Sequence, residues 1–216
     1  MKPILTEQER TQLDRRVADV EKRTGAQVVL AIVERSDAYA ELPWKAFALG
    51  AAVAGLGAVL FDRLWPGRQS DLAVMLAMVS TLATGAACAL LCVGLPQFAR
   101  FFLDAHRAEE EVRQYAKSLF LSREVFATRE RIGVLLLVSM FERQVVLLPD
   151  SGLSKRLSKE AMSGIIARMT TALAAGQTGR ALENGLKGLV ENLPAAEAGD
   201  SGDNELPNGI VEEKGP

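Results

Sequence analysis

The stretch Leu72–Leu95, LAVMLAMVSTLATGAACALLCVGL, runs for about 24 residues without a charge. A helix of that length rises through about 36 Å, more than the roughly 30 Å hydrocarbon core of a bilayer. Upstream, Ala46–Phe61, AFALGAAVAGLGAVLF, is a second uncharged run of about 16 residues. The polar segment Asp62–Asp71 separates them and carries Trp65 and Pro66, an interface marker and a helix terminator. Together the two runs predict a transmembrane helical hairpin within residues 42–103. A buried hairpin in a soluble protein is the alternative, and the 24-residue run exceeds ordinary core helices. The flanks have charged, amphipathic patterning, so the hairpin is expected to cut one soluble domain into two parts, 1–41 and 104–194. An acidic tail, 195–216, follows.

Working outward, the first residues read as a helix. Thr6 and Glu9 have the spacing of a capping box. Leu13, Val17 and Val20 fall on one face, and Gly25 sits where a glycine ends a helix. Ala26–Glu34 is a nearly continuous aliphatic run, the pattern of a strand buried on both faces. Trp44 and Lys45 then form an interfacial cluster ahead of the first span. Gly50/Ala54 and Ala51/Gly55 offer small surfaces that Gly85, Ala86 and Ala87 are expected to meet. The chain leaves the second span through Phe98, Phe101 and Phe102, with Arg100 between them.

Beyond the hairpin, a helix is expected from about Ala105 to Leu121, then an irregular polar segment to Arg131. Ile132–Ser139 and Arg143–Leu148 read as an antiparallel strand hairpin that Pro149, Asp150, Ser151 and Gly152 end. Two amphipathic helices close the domain. The first starts at Ser158 as N-cap and uses Ile165, Met169 and Leu173. The second uses Leu182, Leu186, Leu189 and Leu193 and stops at Pro194. The tail holds six acids from Glu197 onward against one Lys214 and has no apolar period, so it is expected to be disordered and dispensable for folding.

Composition excludes some functions. Net charge is −2, and outside the tail the chain is only mildly basic, which argues against nucleic acid as a partner. Cys88 and Cys92 lie four apart inside the second run, cannot bridge within a helix, and read as small hydrophobes. Met1–Val17 lacks the apolar core of a signal peptide. His106 is the only histidine, which excludes a multi-histidine zinc site within one chain. There is no Gly-x-Ser-x-Gly motif, no P-loop ending and no Asp-x-Asp pair.

The residues Glu21-Lys22-Arg23-Thr24-Gly25-Ala26-Gln27-Val28-Val29, Thr128-Arg129-Glu130-Arg131-Ile132-Gly133 through Ser139, Glu142-Arg143 and Leu148-Pro149-Asp150-Ser151-Gly152 resemble the TPM domain family. The Gly185-Leu186-Lys187-Gly188-Leu189 segment of the last helix is similar too. The resemblance covers about two-thirds of the chain, from Leu5 to Leu193 without the insert. It implies a three-layer α/β/α sandwich, here with two transmembrane helices inserted after the first strand, as in a membrane-bound bacterial branch. Plant thylakoid relatives are associated with photosystem II repair and described as acid phosphatases, and other relatives with divalent metal binding.

The candidate site residues are few. Asp150 ends a strand, where a carboxylate would hold calcium or magnesium, or would simply cap its own turn. Arg129 and Arg131 precede the other hairpin strand, where they would hold a phosphate or pair with Glu124 and Glu130. Glu142 belongs to the opposite end of the strand hairpin from Asp150, which argues against a shared metal. No other cofactor follows from the sequence. Arg35, Lys45, Arg100 and Arg107 flank the spans, against Arg63 and Arg68 in their loop, a bias that favours a two-pass membrane protein with its domain in the cytoplasm. The expected partners are the lipid bilayer and a membrane protein. Two functions fit: a non-enzymatic module in assembly or maintenance of membrane proteins, and a metal-dependent acid phosphatase.

Overall fold

The computed structural model describes residues 4–65, 71–195, 206 and 209–216. The chain divides into two compact units, Met1–Asp37 with Ala108–Pro216, and Ala38–Arg107.

The first unit opens with α1 (Glu7–Thr24), started by the Thr6/Glu9 capping box and ended by Gly25 in the left-handed conformation, both as the sequence predicts. Glu21 near its end accepts the Val28 N–H at 3.0 Å and so fixes the entry to β1 (Gln27–Val33). All seven residues of β1 are buried, the expected continuous pattern. After the insert come α5 (Ala105–Ser122), β2 (Gly133–Ser139), β3 (Gln144–Pro149), the short α6 (Leu153–Arg156), α7 (Lys159–Ala174) and α8 (Thr178–Asn192). Ser158 caps α7 through the Ala161 N–H at 3.1 Å.

β1 and β2 run parallel, with Gln27 opposite Gly133 and Val33 opposite Ser139. β2 and β3 form the expected antiparallel hairpin. Alternate residues of the buried strands face two separate cores. On one face Val28, Leu30, Ile32, Val134, Leu136 and Val138 pack with α1, α7 and α8 through residues such as Leu13, Ile165 and Leu186. On the other, Val29, Ala31, Val33, Leu135 and Leu137 pack with Val112, Ala116 and Leu119 of α5. This is a three-layer α/β/α sandwich around a mixed sheet.

The tail differs from expectation. Val211–Glu213 forms a fourth strand, β4, parallel to β1, so the sheet order is β3-β2-β1-β4. Leu206 and Ile210 are buried in the two cores. A three-residue strand has no readable period, and its pairing comes from β1 and from charged partners far away in sequence. Residues 196–205 of the expected disordered tail lie outside the described residues.

The second unit is a helical hairpin. α2 (Leu42–Leu64) and α3 (Asp71–Gly94) are 23 and 24 residues long, and both are long and apolar enough to cross a membrane. They touch where small residues permit. A Cβ on Gly50 would lie 2.7 Å from Cys88 Sγ, and one on Gly85 would lie 2.9 Å from the Phe47 ring. Gly55, expected in that seam, faces open space instead. Phe61 stacks on Trp65 at 5.2 Å, and Pro66 and Arg68 lie outside the described residues. The short α4 (Pro96–Ala99) and a 3₁₀ turn, Arg100–Phe102, form the exit. The base of the insert closes on itself: Arg107 pairs with Glu41 at 2.6 Å, and Lys45 Nζ donates to the Phe102 carbonyl at 3.3 Å.

Removing the tail after Ala195 strips Leu206 and Ile210 from the cores. At about 1.5–3 kcal/mol for each buried aliphatic side chain, the loss is about 3–6 kcal/mol. A calorimetric melt of the shortened chain is expected to show a clearly lowered midpoint; an unchanged midpoint would contradict the docked strand.

Candidate functional site

The candidates gather at the end of the sheet where β2 begins and β3 finishes. β3 delivers Asp150 to the start of β2, where the Asp150 N–H donates to the Gly133 carbonyl at 2.8 Å. The preceding loop is held by buried Thr128, whose hydroxyl accepts the Ile132 N–H at 3.0 Å. Arg131 sits there with φ 58°, an uncommon conformation for a residue with a side chain, and its carbonyl accepts the Gly152 N–H at 2.9 Å.

The Arg131 guanidinium grips the Asp150 carboxylate with both prongs, Nε to Oδ2 at 2.6 Å and Nη2 to Oδ1 at 3.0 Å. The Ser151 N–H adds a third donor to Oδ1 at 2.6 Å. Asp150 is buried while Arg131 is half exposed. Burial alone would push the Asp150 carboxyl upward, but the bonds from Arg131 and the Ser151 N–H outweigh it and hold the group below the usual aspartate range. Arg131 also lies over the Phe126 ring, 5.8 Å from its centre.

Two residues singled out for separate ligands therefore hold each other. The Arg131 partner is Asp150 rather than Glu124 or Glu130, and Glu130 instead binds Arg156 at 3.0 Å. Arg129 does not join the Asp150 grip. The donors around Asp150 are cationic or N–H groups, a set that suits an anion and repels a metal ion. Among the described residues no three His, Cys, Asp or Glu side chains gather as a metal set. Calcium or magnesium does not fit this arrangement.

The opposite end of the sheet holds a second carboxylate, in a cluster that sequence reasoning missed. Buried Glu142 accepts the Ser36 N–H at 2.9 Å and the Ser36 hydroxyl at 2.6 Å through Oε1, and the Ser139 hydroxyl through Oε2. It latches the β2–β3 turn to the chain leaving β1. Glu142 and Asp150 lie at opposite strand ends, as the hairpin register requires. Ser36 stands 106 residues from Glu142, so no local spacing signals the cluster.

The TPM domain family model matches residues 100–192, the segment that contains the Arg131–Asp150 pair and the Glu142 latch. Those residues are similar to a TPM domain. α1 and β1 complete its sandwich from outside the matched stretch, β1 pairing with β2. A solved structure of similar fold is the NMR structure of BA42 protein from the psychrophilic bacterium Bizionia argentinensis, with a TM-score of 0.54 and 15% identity over 98% of this chain and 97% of that one. No curated protein matches the chain.

Because Asp150 is held below its ordinary range, its ionised form contributes stability that is present above about pH 4, the usual unfolded aspartate value, and lost as pH falls through the folded value. Melts of the wild type and Asp150→Asn from pH 2 to 7 are expected to show the variant clearly less stable at pH 7. The gap should close in acid; a gap independent of pH would contradict the ionised pair.

Proposed function

We propose that the chain is a membrane-tethered TPM-domain protein acting as a non-catalytic module in assembly or maintenance of membrane proteins. The observation that supports this most is the outer surface of the hairpin. Leu56, Val59, Leu60, Met78, Val79 and Leu82 are all more than half exposed, an apolar surface far larger than a soluble protein tolerates and suited to lipid tails. Trp44 and Phe101, exposed near the base of the hairpin, fit the headgroup region. The charge bias across the spans favours a cytoplasmic domain. In the domain, both buried carboxylates are engaged by the protein's own donors, as structural groups are, and this favours the module over the phosphatase reading.

Alkaline carbonate extraction is expected to leave the full chain in the membrane pellet; release into the supernatant would contradict the tether. Purified in detergent, the chain is expected to show no turnover of a generic phosphomonoester, with or without calcium or magnesium. Metal-dependent turnover abolished by Asp150→Asn would overturn the non-catalytic reading in favour of the phosphatase.

A further inference from the structure

A groove of about 1030 Å³ runs between the second half of α2 and the first half of α3. Sites for small molecules typically enclose about 300–1,000 Å³, so this one has room for a large ligand. Ala54, Gly57, Ala58 and Ala77 line it, with Val74 and Leu76 as the larger apolar groups. The small residues leave space: a Cβ on Gly57 would meet no heavy atom within 4 Å. Gly55 has the same free space but stands outside the groove.

The extent of the groove narrows the choice of ligand. Along α2 the lining runs from Ala54 to the acid Asp62, and along α3 from Ser80 back to the acid Asp71. Those stretches rise through about 12–14 Å at 1.5 Å per residue. That is close to one leaflet, about half of the roughly 30 Å hydrocarbon core. A partner's transmembrane helix would cross both leaflets, whereas the acyl chain of a lipid ends within one.

The mouth of the groove narrows it further, because it carries both signs of charge. Asp62, Arg63 and Asp71 lie there, beside Trp65, which stacks on Phe61 at 5.2 Å. Among the described residues Arg63 is paired with neither acid, and no other side chain pairs with any of the three. Two acids and one cation suit a zwitterion whose phosphate meets Arg63 and whose cation meets the carboxylates. A primary ammonium offers these carboxylates three donors, and a quaternary ammonium offers none. An anionic headgroup that lacks a cation is disfavoured by the excess of acids. The two aromatic rings fit the headgroup level.

We infer that this groove is a binding site for one phospholipid with a zwitterionic primary-amine headgroup, of the phosphatidylethanolamine class. Its acyl chain lies against Gly57 and Ala77, and its headgroup lies between Arg63 and the two acids. The inference rests on the reading that the hairpin crosses a bilayer.

Native mass spectrometry tests it on full chains in detergent, incubated with equal amounts of phosphatidylethanolamine, phosphatidylcholine and phosphatidylglycerol of identical acyl chains. The wild type is expected to retain one phosphatidylethanolamine about tenfold over the other two, a preference within reach of a charge-assisted hydrogen bond. Asp62→Asn with Asp71→Asn is expected to abolish the preference. Gly57→Leu fills the groove with a better helix former and is expected to abolish retention, while Gly55→Leu leaves it unchanged. Equal retention of the three lipids by the wild type would overturn the inference. So would a preference that survives both Asn substitutions, or equal loss in the two Leu variants. Release of the chain by alkaline carbonate would overturn the membrane reading and this inference with it; a chain that stays in the pellet and shows no preference overturns this inference alone.

Discussion

The parallel pairing of β1 with β2 is the constraint on which the rest depends. Gln27–Val33 and Gly133–Ser139 are wholly buried, and each supplies alternate residues to both cores. Neither strand satisfies its backbone groups or covers its side chains alone. About a hundred residues separate the partners, and closing an unstructured loop of that length costs roughly 2.5–3 kcal/mol more than closing one of about five residues. The insert lessens this cost by folding as its own unit. Its entry and exit are drawn together at the base by the Glu41–Arg107 pair and the Lys45–Phe102 contact.

The same pairing explains where charge is spent inside the domain. At one end of the strands Glu142 joins the β2–β3 turn to Ser36, the residue that follows β1 and Arg35. At the other end Arg131 and Asp150 join the entry of β2 to the exit of β3. Each carboxylate is buried with its donors already in place, the condition under which a buried charge is tolerated. The polar residues most suggestive of chemistry therefore act where strand ends must be tied, and this is the physical basis of the non-catalytic reading.

Much of this was legible in the chain. The capping box, Gly25, the doubly buried β1, the strand hairpin and the Ser158 cap rest on local spacing, and local spacing is what a sequence displays. β4 was illegible because Val211, Glu212 and Glu213 have neither length nor period, and the partners that seat them, Arg10, Tyr115 and Arg123, lie 90 or more residues away. The candidate site was half legible. Asp150 and Arg131 stood out by type and position, but a spacing of 19 residues does not reveal that they face each other. Gly50 and Gly85 do lie in the seam of the hairpin, but against Cys88 and Phe47 rather than against each other, and Gly55 faces open space, because composition shows which residues are small but not which face a small residue occupies or what it meets.

Native-state hydrogen exchange on the full chain in detergent tests the shared sheet most directly. The amides of Val29–Ile32 and Leu135–Leu137 are expected to be protected together and to open with the same free energy, as one cooperative unit. Rapid exchange throughout β1 while β2 and β3 remain protected would show that the segment before the hairpin is not part of the domain's core, and would contradict the account.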